Sequence, residues 1–316
     1  MKERPLAAWE RDLLIGLPAD RRYLIGVSGG RDSVVLLHWL LSLGYRRLIV
    51  CHFEHGLRGR AGKSDARFVE RLARKEHLVF VLGSADVPAL ALQRKQSVET
   101  VAREERLGFF QRVARRRRCL AIFLAHQAND QVETFLLNLF RGAGKRGLGA
   151  MRPRARFGAL QIVRPLLGVW RAEIDRYAAE HRLKFRDDFT NATLYPRRNR
   201  LRHQIIPKLE AEFGREIRKT IWRTVTILAE EEDYLEEQTP PGLTTNDELS
   251  VMAVRKLPPA LQRRVLREWL VNRAVAEVGF EVTEAARKLL SRRTPAKINL
   301  ARGRHLRRRG GKIFVE

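Results

Sequence analysis

The stretch Tyr23-Leu24-Ile25-Gly26-Val27-Ser28-Gly29-Gly30-Arg31-Asp32-Ser33-Val34-Val35-Leu36-Leu37 decides the fold. A short apolar run, Tyr23 to Val27, reads as a buried strand. It ends in a Ser-Gly-Gly turn, and from Asp32 to Leu43 the apolar residues recur at helical spacing until Gly44. A strand, a glycine turn and a helix start form a place where backbone N–H groups point outward and the helix dipole favours an anion. Gly29 and Gly30 let the chain turn tightly and approach a ligand closely. Ser28 and Ser33 add hydroxyls, Arg31 lies within the turn, and Asp32 is suited to hold a magnesium ion on bound phosphates. No Gly-Lys-Ser/Thr follows, so this is not a Walker A loop. An ordinary strand–helix turn is the bland alternative.

Outward from that loop the first half alternates strand-like and helix-like segments. Leu48 to Phe53, Leu78 to Leu82 and Cys119 to Leu124 read as strands, as does Leu160 to Val163. Ala66 to Lys75, Ser97 to Arg117 and Asn129 to Phe140 read as helices, with Ser97 as an N-cap. Such alternation predicts βαβ units and an α/β fold with a parallel nucleotide-binding sheet, whose ligands sit beyond the carboxyl ends of the strands. Arg141 to Arg156 lacks an apolar period and is expected to be a mobile basic loop. Further helices are expected at Arg171–His181, Asn199–Glu212, 216–238, Pro259–Asn272 and Thr283–Ser291, with short strands near Ala296–Leu300 and Ile313–Val315. Thr239-Pro240-Pro241-Gly242 marks a break. The expected organisation is a catalytic domain over residues 1–215 and a smaller, mainly α domain over 216–316.

The chain has 62 Lys and Arg against 36 Asp and Glu, a formal charge of +26. Charge speaks to partners rather than fold, and a polyanion is the obvious one. Cys51 and Cys119 each sit in apolar runs, and no CxxC pair offers a thiolate metal site or a disulfide framework. The start, Met1-Lys2-Glu3-Arg4-Pro5, has no apolar signal region, and no run is long enough to span a membrane, so a cytoplasmic location without membrane association is expected.

Four further stretches carry chemistry. His52-Phe53-Glu54-His55-Gly56-Leu57-Arg58 follows the second strand. Ala102-Arg103-Glu104-Glu105-Arg106 puts Arg103 and Arg106 on one helix face, where one reaches a phosphate or both are simply solvated. In Ala125-His126-Gln127-Ala128-Asn129-Asp130-Gln131-Val132-Glu133-Thr134, the carboxylates of Asp130 and Glu133 point the same way from a helix start and suit an ammonium group. There an N-cap for Asn129 or Asp130 and a satisfied core position for His126 are the plain alternatives. Arg141-Gly142-Ala143-Gly144, Gly147-Leu148-Gly149-Ala150-Met151, Val163-Arg164-Pro165-Leu166-Leu167, Asp187-Asp188-Phe189-Thr190-Asn191 and Arg198-Asn199-Arg200-Leu201-Arg202-His203 complete the set.

The Ser28–Ser33 loop resembles that of the PP-loop ATP pyrophosphatases. The ordered set over roughly residues 20–215 resembles the tRNA(Ile)-lysidine synthetases, with Glu54, Leu107 and Asn129 departing from the usual residues. Leu257 to Leu266 resembles the start of that family's substrate-binding domain, and the chain is expected to be a short form without a last C-terminal domain.

The resemblance implies ATP and Mg2+ as cofactors, free L-lysine and an isoleucine tRNA with a CAU anticodon as partners, and leaves a homodimer open. It implies that Ser28–Ser33, His52 and Arg103 bind ATP, and that Asp32 holds magnesium. Asp130, Glu133 and Arg202 would bind lysine. Asp32, His126, Asp130, Glu133 and Arg202 would carry the chemistry, and the proton acceptor stays open among Asp130, Glu133 and His126. Arg198, Arg152, Arg154, Arg307 and Arg308 are the candidates for holding tRNA, with the Arg115–Arg118 run as a further basic segment; each is equally readable as a solvated face. A tRNA thiolase, a GMP or NAD synthetase and a non-catalytic RNA-binding protein are the competing readings. Isolated cysteines, no evident glutaminase nucleophile and the retained Asp32, Asp130 and Glu133 weigh against them in turn.

Overall fold

The computed structural model describes residues 11–186, 196–244, 247–291 and 293–316. The Asp187–Asn191 motif and the Met1–Pro5 start lie outside the described residues. The chain forms two compact units, Met1–Ala229 and Glu230–Glu316.

The first unit is built on a six-stranded sheet: β1 (Tyr23–Gly26), β2 (Leu48–Glu54), β3 (Val79–Ser84), β4 (Ala121–Phe123), β5 (Arg154–Phe157) and β6 (Leu160–Val163), in the order β3-β2-β1-β4-β6-β5. All neighbours are parallel except β5, which pairs antiparallel with β6. Successive residues alternate between two cores. Tyr23, Ile25, Leu48, Val50 and Phe123 face one layer, and Leu24, Ile49, Cys51 and Ile122 face the other. Burial on both faces explains why these strands read as continuous apolar runs.

The helices of this unit are α1 (Arg11–Leu14), α2 (Arg31–Ser42), α3 (Arg60–Lys75), α4 (Val87–Arg94), α5 (Val98–Arg117), α6 (Ala128–Phe140), α7 (Lys145–Leu148) and α8 (Arg171–Glu180). Residues of α2, α3 and α8 cover the first layer, and Leu107, Phe109, Phe110 and Val113 of α5 cover the second. The chain runs outward from β1 to β3, then returns to place β4 on the other side of β1. The crevice at the carboxyl ends of β1 and β4 is therefore the topological switch point where such sheets bind ligands.

Several elements differ from expectation. α3 starts six residues before Ala66, at Arg60, and in its first turn Gly62 leaves space for the Glu54 side chain: a Cβ there would lie 2.6 Å from Glu54 Oε1. α4 is an additional helix: Asp86 caps it by accepting from the Ala89 N–H, and Pro88 sits in its first turn. The segment Arg141–Arg156, expected to be a mobile loop, is instead ordered around α7 and β5. Two amide side chains of α6 pin it. Gln131 exchanges two 2.8 Å hydrogen bonds with the Met151 backbone, and Asn138 donates to the Gly147 carbonyl at 2.7 Å.

The helix expected at Asn199–Glu212 is three pieces, Pro196–Arg200, a π turn over Leu201–Ile205, and Ile206–Phe213. Pro207 has no N–H for the carbonyl four residues back. The widened turn precedes it, with the Ile206 N–H donating to the Leu201 carbonyl. Leu201 and Ile206 are both buried, in a cluster with Val132, Leu136 and Val225. The long helix Ile217–Glu237 contributes Ile221, Trp222, Val225 and Leu228 to that cluster, so its first half belongs to the first unit.

The second unit has helices Val251–Arg255, Pro259–Asn272 and Phe280–Lys288. It also has a four-stranded sheet of β7 (Leu249–Ser250), β8 (Lys297–Asn299), β9 (His305–Arg309) and β10 (Lys312–Val315), ordered β7-β10-β9-β8. Its core centres on Leu266, Trp269, Leu270, Leu306 and Ile313.

A packing prediction follows at Gly83 on β3. A Cβ there would lie 2.5 Å from Phe109 Cδ2. Overpacking of this kind costs about 1–3 kcal/mol, and each kcal/mol lowers the melting temperature of a domain this size by about 2–4 °C. Gly83→Ala is expected to melt correspondingly lower by circular dichroism. An unchanged melting temperature would show that Phe109 yields freely.

Candidate active site

A cavity of about 760 Å³ opens at the switch point. Ser28, Gly30, Arg31, Asp32 and Ser33 line it from the first loop, His52 to His55 from the end of β2, and His126, Gln127, Asn129 and Asp130 from the end of β4. Arg106, Arg171, Arg186 and Arg202 complete its rim, with Phe53, Phe110 and Leu124 as apolar wall.

The glycine loop holds its shape through its serines. Ser33 Oγ donates to the Gly30 carbonyl at 2.8 Å, the Ser28 N–H donates to Ser33 Oγ at 3.2 Å, and the Gly30 N–H donates to Ser28 Oγ at 3.2 Å. Gly29 has a φ of +94°, which favours glycine there, and a Cβ would press on Val69 at 3.3 Å. Gly30 caps α2 without a side chain of its own, so the first turn of the helix presents its N–H groups to the cavity.

Asp32 pairs with Arg171, whose Nη1 lies 3.1 Å from Oδ1. Burial pushes the Asp32 carboxyl up to about 6; Arg171 opposes the rise and the nearby charge of Asp130 adds to it. Arg171 also binds Asp175 at 3.0 Å, and Asp175 in turn pairs with Arg31. Arg186 donates its N–H to the Gly29 carbonyl at 3.0 Å and its guanidinium to Ser64 Oγ at 2.8 Å, so the chain after α8 lies along the loop.

Two of the cavity histidines, His52 and His126, are held below the usual imidazole pKa. His52 is buried, which lowers its pKa, and its Nδ1 sits 2.8 Å from the Val27 carbonyl. A carbonyl only accepts, so the proton is on Nδ1 and Nε2 is left as an acceptor. His126 is the mirror case. Burial and the charge of Arg164 hold its pKa well below the usual value. Arg164 Nε donates to its Nδ1 at 3.2 Å, and a guanidinium only donates. The neutral ring therefore carries its proton on Nε2, which makes His126 a donor and removes it as the proton acceptor. Arg164 is itself buried and also donates to the Arg152 carbonyl at 2.8 Å.

Arg164→Met is expected to release His126 Nδ1, so that the ring pKa climbs back towards the usual range. The loss of two hydrogen bonds at a buried site should cost about 1–3 kcal/mol. Imidazole nitrogen shifts report the tautomer directly; spectra matching the parent would mean that Arg164 does not set it.

At the start of α6, Asp130 Oδ2 accepts from the Gln127 N–H at 3.0 Å in a capping box, and its Oδ1 lies 3.3 Å from Arg202 Nη2. Arg202 grips Glu133 with two bonds, 2.7 Å from Nε to Oε1 and 3.1 Å from Nη2 to Oε2. Glu133 is 1% exposed, so it stands behind Arg202 while Asp130 and Arg202 border the cavity. Burial raises the Glu133 carboxyl against the opposing pull of Arg202.

The structure thus gathers Ser28, Gly30, Arg31, Asp32, Ser33, His52, His126, Asp130 and Arg202 around one cavity. Arg198 lies beside them, donating to Thr134 Oγ1 at 3.4 Å. Arg103 is exposed on α5, whereas its helix neighbour Arg106 lines the cavity.

Arg154 donates to the carbonyls of Leu13 and Ile15, and Arg152 is partly buried. In the second unit Arg307 pairs with Glu316 at 2.7 Å, and Arg308 donates to the carbonyls of Leu289, Ser291 and Thr294. Arg164, Arg171 and Arg186 are site residues that the sequence does not single out, although Arg164 lies in the Val163–Leu167 motif. Cys51 and Cys119 are both buried, and burial pushes the Cys51 thiol up to about 12. Among the described residues no three acidic, histidine or cysteine side chains gather as a metal set, and no helix is long and apolar enough to cross a membrane.

Comparison with known proteins fits this geometry. The PP-loop domain family matches residues 6–209, and the TilS substrate binding domain family matches residues 249–314. A tRNA(Ile)-lysidine synthase from Thermosynechococcus vestitus is 34% identical over 301 residues, covering 92% of this chain and 85% of the relative. That of Geobacter sulfurreducens is 36% identical over 88% of this chain and 61% of its own length, and that of Bacillus subtilis is 34% identical over 76% and 53%. The chain therefore spans little more than half the length of several relatives. Among solved structures, the U34-tRNA thiolase NcsA from Methanococcus maripaludis with its [4Fe-4S] cluster aligns with a TM-score of 0.56 at 18% identity, covering 71% of this chain and 80% of that one. This last likeness concerns the fold alone.

Proposed function

Because the chain belongs to the tRNA(Ile)-lysidine synthase family, we propose that it uses ATP to join L-lysine to the wobble cytidine of an isoleucine tRNA with a CAU anticodon, releasing AMP and pyrophosphate. The carrying observation is the convergence of an anion cradle, a neutral histidine donor and the Asp130–Arg202 pair on one cavity at the switch point.

In the first step the ring carbonyl oxygen of the cytidine attacks the α-phosphorus, and the bond to the β-phosphate oxygen breaks. The N–H groups of the α2 start and the Ser28 and Ser33 hydroxyls suit the leaving pyrophosphate. His52 Nε2 is an acceptor for the adenosine, against the apolar wall of Phe53, Phe110 and Leu124. The His126 Nε2–H is a donor for the oxygen that bridges cytidine and AMP.

Asp32 fits a magnesium site: it is a partly buried carboxylate that already recruits a cation, Arg171, and one carboxylate with phosphate oxygens and waters is how this ion is usually held. Magnesium supplies charge neutralisation on the phosphates when bound.

In the second step the lysine side-chain amine attacks the activated ring carbon, the carbon–oxygen bond breaks, and AMP leaves with the oxygen. The amine must lose a proton first. Asp130 borders the cavity and is our assignment for holding the ammonium and accepting that proton, with Arg202 and Glu133 fixing its surroundings. A flipped-out base from a single-stranded loop suits such a cavity better than a paired one. The enzyme would work in the cytoplasm. A sulfur-transfer reading gains nothing from two buried thiols.

The test is pyrophosphate release from ATP with lysine and either the CAU-anticodon isoleucine tRNA or a methionine tRNA. Release with the isoleucine tRNA alone, with lysine incorporated at the wobble base, supports the reading. No release with either tRNA would overturn it.

A further inference from the structure

The sheet edge away from the cavity carries a row of arginines that the reaction does not use. The loops that enter parallel strands lie at that edge. Arg22 precedes β1, Arg46 and Arg47 precede β2, and Arg116, Arg117 and Arg118 end α5 and lead into β4. β2, β1 and β4 are adjacent, with Leu24 opposite both Ile49 and Ile122, so the six side chains start from entry points about 10 Å across. Arg22 and Arg117 both act on Cys119, whose thiol burial pushes up while the two charges pull it down.

All six are exposed, and among the described residues none of them is ion-paired. Arg47 donates only to the Asp20 carbonyl, at 3.2 Å. The cations at the cavity end are different: Arg31, Arg58, Arg171 and Arg202 each face a carboxylate. A helix C-terminus accounts for favouring a cation or two on α5, but Arg22, Arg46 and Arg47 are not on a helix. β2 is seven residues long, which puts the edge roughly 20 Å from the cavity. That is more than twice the screening length of about 8 Å at physiological salt. These charges therefore do little for pyrophosphate and call for a polyanion of their own.

We propose that this edge is a second RNA-binding surface, one that takes the phosphate backbone of a tRNA other than the one whose wobble base occupies the cavity. The cavity opens at the carboxyl ends of the strands, so a wobble base that enters it approaches from the side opposite this edge. The polyanion character rests on the charges alone; the choice of tRNA rests on the proposed function.

The experiment measures RNA stoichiometry of the full chain by sedimentation velocity with a CAU-anticodon isoleucine tRNA transcript at about 50 mM and 200 mM salt. The parent is expected to hold two RNA molecules at the lower salt and one at the higher. Arg46→Glu with Arg47→Glu should weaken the second site at least tenfold and lower its log–log salt slope by about two. The Arg46→Lys, Arg47→Lys variant should keep it, and both variants should release pyrophosphate at the parent rate.

One RNA per chain in the parent at low salt, or a second site indifferent to the charge reversal, would overturn the proposal. So would loss of binding to vesicles of anionic phospholipid with RNA stoichiometry unchanged, since the edge would then be a membrane surface. Two RNA molecules bound by a chain that releases no pyrophosphate with any tRNA would leave this surface supported and sink the proposed activity instead.

Discussion

Asp32→Ala is expected to lower pyrophosphate release by about 10²–10³-fold, the scale of losing one electrostatic stabiliser of a leaving group, while tRNA affinity stays within a factor of about two. The carboxylate is the acid nearest the glycine loop, and its guanidinium partner shows that the position demands positive charge. A variant retaining even a third of the parent rate would remove Asp32 from the chemistry.

Asp32→Asn carries a second consequence, in stability. The folded carboxyl holds its proton up to about 6, above its ordinary value of 3.8. Ionising it therefore costs the folded state more than the unfolded one, and stability is lost as pH rises from about 4 to about 6, with no further change above. Asparagine removes that cost. The variant is expected to be inactive yet more stable at pH 7, by on the order of 2 kcal/mol or less, and to lose this advantage near pH 4. Melting curves at the two pH values decide it; equal melting at pH 7 would mean that Arg171 fully offsets the burial.

Glu133→Gln is expected to raise the KM for lysine by about 10–100-fold, the scale of a charge-assisted hydrogen bond, and to leave the KM for ATP within a factor of about three. The structure gives the reason: Glu133 does not face the cavity but anchors both nitrogens of the Arg202 fork, and Arg202 in turn reaches Asp130. Removing the buried charge frees the guanidinium to pair with Asp130, the group assigned to the amine. Breaking a buried pair costs about 3–5 kcal/mol, so the constants are read below the melting transition of the variant. Equal increases for both substrates would argue that Glu133 only supports the fold, and Arg202→Lys, which keeps the charge without the fork, should reproduce the lysine defect.

The parallel sheet and the glycine loop were legible because both write themselves locally: apolar runs of four to seven residues, a Ser-Gly-Gly turn and a helix period beginning at once. The candidate site was legible as a set of motifs, and the structure brings most of them to one cavity. Its wiring was not. Arg164 meets His126 across 38 positions and Arg171 meets Asp32 across 139, and no local pattern announces which arginine among so many will turn inward. The order of Arg141–Arg156 was hidden for a similar reason, since two α6 amides that resemble solvent-facing residues hold the loop from outside it. α4 carries local signals in its aspartate cap and early proline, but eight residues are too few to show a clear helical period.

The wide turn at Leu201–Ile205 has one more implication. Its buried residues, Leu201 and Ile206, are five apart, so the helix before it and the helix after it are out of phase by one position, about 100° of rotation. Arg202 occupies the slack. Deleting a single residue there would restore an ordinary α-helical ladder, and the price would be paid in aim: either Arg202 turns off Glu133, or everything from Ile206 onward rotates off its packing partners. The segment works as a gear offset, in which one surplus residue lets the same helix seat an apolar face against α6 at both ends and still point a guanidinium into the cavity between them.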